Sequence, residues 1–79
     1  MNTRILLFAG LRERLNKSEV QLDLPQGTKV CEILPILFGE EAAKLTRCTL
    51  FAINQNYVTP ETELHDGDEL TLIPPVAGG

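Results

Sequence analysis

Residues 65–79, HDGDELTLIPPVAGG, combine a tight turn, a strand pattern and an extended end. We expect Gly67 to take the positive-φ position of the turn, because a residue without a Cβ adopts that conformation at no steric cost. Glu69 to Ile73 alternates polar and apolar positions, as strands do. Pro74 and Pro75 cannot donate backbone hydrogen bonds, so regular pairing should end there. This stretch predicts a closing strand, central in its sheet, with a thin tail behind it.

Two further strand patterns occupy the first part of the chain. Thr3 to Ala9 is an aliphatic and β-branched run closed by Gly10, and Ser18 to Leu24 alternates apolar with polar residues. Alternation is typical of a strand with one face on the core and one in water. We expect the two strands to pair antiparallel, with one helical turn or more between them at Leu11 to Asn16.

The middle of the chain predicts the main helix. Turn residues occupy 25–27, and Thr28 is placed as the helix N-cap behind them. Pro35 should kink the helix or break it into two segments, and Gly39 should end it, with a further turn at Glu40 to Leu45. The apolar positions that recur at helical spacing, and would lie across the sheet, are Val30, Ile33, Leu34 and Leu37.

The second half supplies the remaining strands. Cys48 to Ile53 is a strand candidate, followed by a polar turn at 54–56 and a brief extended piece at Tyr57 and Val58. The order of two strands, a helix and then strands again predicts an α+β fold of the β-grasp, ubiquitin-like type, with a mixed sheet packed on one main helix. The folded domain is expected to span residues 1–75 and the tail residues 76–79.

Composition limits the possible functions. Among 79 residues there are one histidine, two cysteines and no tryptophan, so catalytic triads and multi-ligand metal sites lack their residues. A net charge of −4 argues against binding nucleic acid. No apolar run has the length of a membrane span, and the cysteines fit a reducing compartment, so we expect a cytoplasmic protein. His65 is expected on an exposed turn, and Cys31 and Cys48 as small buried side chains.

The tail is the candidate functional group. A carboxylate carried by Gly78 and Gly79 can enter a narrow active site on another protein, because neither residue has a side chain. Pro74 and Pro75 would reduce the entropy that is lost when the tail is threaded. The alternatives are a frayed terminus and simple strand termination.

Strand parity predicts a surface for docking. If Leu70 and Leu72 point into the core, Ile73 points away from it, and the same argument places Phe8 outside. Phe8, Ile73 and a nearby Tyr57 would then form an apolar patch beside the tail, suited to a protein partner. The alternative is that a helix or loop covers these side chains as ordinary core.

The strand order, the polar turns and the ending together resemble the small subunit of molybdopterin synthase, a ubiquitin-like sulfur-carrier family. The resemblance extends over nearly the whole chain, and the ending is its most specific part. The matching residues are Phe8-Ala9, Leu11-Arg12-Glu13, Asn54-Gln55, Asp66-Gly67-Asp68-Glu69 and Pro74-Pro75-Val76-Ala77-Gly78-Gly79.

This resemblance implies a carrier that is not an enzyme on its own. An E1-like activating enzyme would adenylate the Gly79 carboxylate with ATP, and a sulfur donor would convert the acyl adenylate into a thiocarboxylate. The large catalytic subunit of a heterotetrameric synthase would receive the tail and pass the sulfur to a pyranopterin precursor of the molybdenum cofactor. The residues that thread would be Pro74, Pro75, Val76, Ala77 and Gly78. No stably bound cofactor or metal is implied.

Two other functions remain open. The same carrier chemistry could serve thiamine synthesis or the thiolation of transfer RNA. A ubiquitin-like module that binds partners without covalent chemistry is the alternative of a different class.

Overall fold

The structure is a computed structural model that describes residues 1–46 and 49–74. Its strands are β1 (Asn2–Leu7), β2 (Glu19–Asp23), β3 (Leu50–Ile53), β4 (Asn56–Val58) and β5 (Glu69–Ile73). Its helices are α1 (Ala9–Leu15), α2 (Ile33–Phe38) and α3 (Ala42–Thr46), with 3₁₀ turns at Val30–Glu32 and Gly39–Glu41. None of the described helices is long and apolar enough to cross a bilayer.

The five strands form one mixed sheet in the order β2-β1-β5-β3-β4. β5 lies at its centre, parallel to β1 and antiparallel to β3. β1 and β2 pair antiparallel, as predicted from their patterns. The sheet and its helices form the β-grasp fold that the sequence predicts, with the closing strand in the predicted central position.

The core lies between the helices and one face of the sheet. Ile5, Leu7, Leu70 and Leu72 are at most 1% exposed, and they meet Ile33 and Leu34 of α2 in one apolar cluster. Side chains alternate along a strand, so burial of these positions leaves the residues between them on the opposite face. The parity that was predicted for β1 and β5 is therefore confirmed.

The helical segment begins later than predicted. Thr28 is not the N-cap: its hydroxyl donates to the carbonyl oxygen of Pro25 at 2.7 Å, and helical structure starts at Val30. The first amides of a helix need acceptors from outside it. Here the amides of Val30 and Cys31 donate to the carbonyl oxygens of Thr62 and Pro60, at 2.9 and 3.2 Å. A distant backbone segment thus performs the capping that local sequence assigned to Thr28.

Pro35 produces the predicted break in a specific form. The chain is a 3₁₀ turn up to Glu32 and becomes α-helical at Ile33, so Pro35 is the third residue of α2. The first amides of an α-helix have no acceptor within it, so the missing N–H removes no hydrogen bond there. Gly39 ends α2 with a φ of 59°, as predicted.

The turns at one end of the sheet are joined to each other. Gly67 has the predicted positive φ, 85°. Asn54 reaches from the β3–β4 turn to the same region: its side-chain amide donates to Asp68 at 3.1 Å, and its side-chain oxygen accepts from the amide of Glu69 at 3.2 Å. Asp68 also accepts from the amide of His65 at 2.8 Å. These contacts fix the turns before β5 and between β3 and β4.

Several predicted boundaries shift. β1 ends at Leu7 rather than Ala9, because Ala9 has a positive φ of 49° and already belongs to α1. Asn56 belongs to β4 rather than to the preceding turn, which is formed by Asn54 and Gln55. The start of the predicted third strand, Cys48, lies outside the described residues.

Thr3 offers a test of the core. Its hydroxyl is buried and finds no hydrogen-bond partner within the described part of the chain. An unsatisfied buried polar group costs about 1–3 kcal/mol, so Thr3→Val should raise the free energy of unfolding by about 1 kcal/mol. Denaturant titration measures the change. Thr3→Ser, which keeps the hydroxyl and removes the methyl group, should instead lower stability, and a less stable valine variant would contradict this account.

Candidate functional site

The face of the sheet opposite the helices carries an exposed apolar area at one end. Residues that pair across neighbouring strands form rows on this face. The first row lies at the C-terminal end of β5, where Ile73 pairs with Leu50 of β3. Phe8 lies beside Ile73 on the other side, because it follows Leu7, which pairs with Leu72. Phe8 is 48% and Leu50 54% exposed, and Ile73 is half-buried. These exposures show that Phe8 and Leu50 are not covered as ordinary core, whereas Ile73 is partly covered.

A second row extends the apolar area toward the sheet edge. The register aligns Tyr57, Ala52, Thr71 and Leu6 across β4, β3, β5 and β1. Tyr57 is 72% exposed, the highest value among the large apolar side chains described. We call Phe8, Leu50, Ile73, Tyr57 and Leu6 the outer patch. The patch contains the three residues that the sequence analysis grouped, Phe8, Ile73 and Tyr57, together with Leu50 and Leu6.

The third row is charged and marks the boundary of the outer patch. Arg4 lies opposite Glu69 in the register and donates to Glu19 at 2.7 Å and to Glu69 at 3.4 Å. Its hydrogen bond to Glu19 raises the pKa of Arg4 above its usual value. The ion pairs are exposed, so they contribute little to stability. Arg4 and Glu69 bound the apolar area on β1 and β5, whereas Glu19 lies opposite Leu6 on the edge strand β2.

The apolar area lies at the end of the sheet from which the tail leaves. β5 runs from the polar row at Glu69 to the apolar row at Ile73, and Pro74 follows directly as a half-buried residue. The predicted threading residues Pro75, Val76, Ala77 and Gly78, and the predicted reactive residue Gly79, lie outside the described residues. Pro74 is the one predicted threading residue within the described part of the chain, and it follows Ile73 at the edge of the outer patch.

The other candidate groups lie elsewhere. His65 is exposed on its turn, as predicted. Cys31 is half-buried at the start of the helical segment rather than fully buried, and Cys48 lies outside the described residues. Arg14 pairs with Glu41 and so joins α1 to the 3₁₀ turn after α2. Among residues 1–46 and 49–74, no group of three or more His, Cys, Asp or Glu side chains is placed to hold a metal ion.

The residues on which the predicted family resemblance rests divide by position. Phe8 lies in the outer patch, whereas Asn54 and Asp68 lie at the opposite end of the sheet, where they bind each other and the backbone. The second group is therefore structural. Sequence reasoning missed Leu50, because the register of β3 against β5 is needed to place it. The signal in the sequence was its position one residue before Phe51, which is buried.

Comparison with known proteins agrees with the fold and the ending. The model of the ThiS family matches residues 5–79. The chain belongs to the ThiS family. It is 34% identical to the molybdopterin synthase sulfur carrier subunit of Chlamydomonas reinhardtii, over the full length of both chains. It is 32% identical to the protein of that name from Arabidopsis thaliana, with 96% of this chain and 81% of the relative covered.

A solved structure gives the same fold for this ThiS-family chain. The small archaeal modifier protein 1 of Haloferax volcanii superposes with a TM-score of 0.76 at 26% identity, covering 95% of this chain and 98% of that one. The resemblance inferred from the turns and the ending is thus confirmed at the level of family and fold.

The contrast between neighbouring residues of β3 tests which face is solvated. Leu50 is 54% exposed in the outer patch and Phe51 is 2% exposed in the core. Phe51→Ala should lower the free energy of unfolding by about 3–5 kcal/mol, and Leu50→Ala by less than about 1 kcal/mol. Thermal and denaturant unfolding of the two variants measures the difference. Equal losses would mean that the outer patch is packed against another part of the chain.

Proposed function

We propose that this chain is the sulfur-carrier small subunit of a molybdopterin synthase, and that it acts by presenting its Gly79 carboxylate to partner enzymes. The observation that carries the proposal is the position of the outer patch, which borders the point where β5 leads into the Pro-Pro-Val-Ala-Gly-Gly tail. A partner that binds the patch is in position to receive the tail. The printed names of the relatives from Chlamydomonas and Arabidopsis support the same role.

The chemistry follows from what a carboxylate needs in order to accept sulfur. A carboxylate is a poor acyl electrophile, so an oxygen of Gly79 first attacks the α-phosphorus of ATP and pyrophosphate leaves. A hydrosulfide-equivalent donor then attacks the acyl carbon, and AMP leaves with the bonding electrons. The terminal carbon keeps one oxygen and one sulfur. Splitting one difficult substitution into two easier ones is the general advantage of covalent activation.

The protein's own contribution is binding and presentation. Among the described residues, no group of three or more His, Cys, Asp or Glu side chains is placed to hold a metal ion. The activating enzyme would supply the ATP site, and the large catalytic subunit would supply the pterin pocket. Both would have to bind this chain so that the tail reaches their active sites.

The outer patch is the surface that we assign to the large subunit. Exposed apolar area of this kind is typical of protein interfaces, and aromatic residues such as Phe8 and Tyr57 are enriched among the side chains that dominate binding energy. The ion-paired side chains of Arg4, Glu19 and Glu69 would form part of the polar rim. The large subunit would then bind the outer patch and the tail at the same time, so that binding of the folded domain brings the tail to the active site.

Deletion of Gly79 tests the carrier role. The variant should fold and should bind the large subunit within about threefold of the parent, because the outer patch is unchanged, but it should form no thiocarboxylate. The assay combines activating enzyme, ATP, sulfur donor, large subunit and pterin precursor, with mass spectrometry detecting the replacement of one carboxylate oxygen by sulfur. A chain with one residue added after Gly79 should fail in the same way. Full product formation by either variant would contradict the proposal.

The same assay separates the alternatives. A non-covalent ubiquitin-like module would keep its function without Gly79. A carrier for thiamine or transfer-RNA thiolation would still form the thiocarboxylate but would not yield pterin product with the large subunit. The parent chain therefore has to give both results, sulfur loading and pterin product, for the proposal to stand.

Phe8→Asp tests the docking surface. A central interface side chain contributes at least about 2 kcal/mol, or roughly 30-fold in affinity, and a carboxylate there would be desolvated on binding. Titration calorimetry with the large subunit should record a loss of that size or larger. The matched control is Ile36→Asp, since Ile36 is 53% exposed on α2, away from the outer patch. Equal affinities of the two variants would remove Phe8 from the interface.

A further inference from the structure

The connection between β1 and α1 is short and anchored on both sides. Leu7 and Leu11 are each about 1% exposed, and the three residues between them are exposed. The amide of Leu7 donates to the carbonyl oxygen of Ser18 at 2.9 Å, which fixes the end of the strand. Within these three residues the chain has to turn from the sheet into the helical layer while Phe8 stays on the opposite face.

Ala9 makes this turn with an unfavourable backbone conformation. Its φ is 49°, in the left-handed region, which is small and sterically restricted for a residue with a Cβ. Phe8 before it is extended, with φ −127° and ψ 157°, and its carbonyl oxygen accepts from the amides of Leu11 and Arg12. The direction of Phe8 is therefore set by the one residue that joins it to the first turn of α1.

The next residue shows that local stability alone does not explain the choice of alanine. Gly10 has no positive φ, and a Cβ built on it would meet no atom within 4 Å. Glycine thus stands where the backbone does not require it, and alanine stands at the preceding position, where glycine would be free of strain. Replacing Ala9 by glycine would remove the steric cost of the positive φ, but it would also widen the range of φ and ψ that the connection between β1 and α1 can adopt.

We infer that Ala9 is a positioning residue for docking: its narrow left-handed well holds Phe8 in the direction in which the large subunit binds it. This inference rests on the proposed function, because it requires Phe8 to be an interface residue. Holding a side chain in its bound orientation before binding reduces the entropy lost on association. The free protein therefore contains a strained backbone conformation at Ala9, next to the outer patch.

Ala9→Gly separates positioning from stability. The melting temperature should equal or exceed that of the parent, because the strain is relieved, while affinity for the large subunit should fall about three- to fivefold, the order expected from the added freedom of one glycine. Calorimetry should assign the loss to a less favourable binding entropy. The backbone order parameters of residues 8 and 9 should fall in the free variant.

Gln55→Gly is the matched control. Gln55 also has a positive φ, 72°, but it lies in the β3–β4 turn at the end of the sheet remote from Ile73 and Phe8. The same kind of substitution should raise the melting temperature there and leave affinity unchanged.

The outcomes distinguish the inference from the function on which it rests. Parent-like affinity of Ala9→Gly overturns the inference alone, provided that Phe8→Asp still weakens binding. Parent-like affinity of Phe8→Asp overturns the docking surface and the inference with it. A lower melting temperature for Ala9→Gly would show that Ala9 is needed for folding and would also overturn the inference.

Discussion

The pairing of β5 between β1 and β3 is the constraint on which the remaining structure depends. A parallel neighbour on one side and an antiparallel neighbour on the other place both flanking strands in fixed register. That register buries Leu70 and Leu72 and, in the same step, turns Ile73 outward beside Leu50. The same strand pairing therefore determines both the core on one face of the sheet and the outer patch on the other. A slip by one residue would exchange them, which is why the register of a half-buried sheet is strongly specified.

The sequence predicts those features that follow from local pattern. Alternation in β2 and β5, the positive φ of Gly67 and the end of α2 at Gly39 each depend on residues within a few positions of each other, so they could be derived from the sequence without the structure. Parity also predicted that Phe8 and Ile73 lie on the face opposite Leu70 and Leu72, once the strand assignments were correct. What parity could not decide was which face the helices cover.

The features that sequence reasoning missed depend on contacts between distant segments. Thr28 has the right chemistry for an N-cap, but the carbonyl oxygens of Pro60 and Thr62 satisfy the first helical amides instead. Leu50 belongs to the candidate site only because β3 pairs with the end of β5. Ala9 was predicted to end a strand, but it has a φ of 49° and stands between Leu7, which is buried in the sheet, and Leu11, which is buried in α1. Tertiary context decides each of these cases, and it overrides local propensity.

The joined turns at Asn54 and Asp68 have a practical consequence for anyone who handles this molecule. They lie at the end of the sheet opposite Pro74, and Gln55, in the β3–β4 turn, is solvent-exposed. A fluorophore, a surface tether or a purification tag attached there would stay away from the end of the outer patch that carries Phe8, Leu50 and Ile73. Immobilised in this way, the domain would present Ile73 and Pro74, at the end of β5, toward solution, which is the orientation that a binding assay with partner enzymes requires.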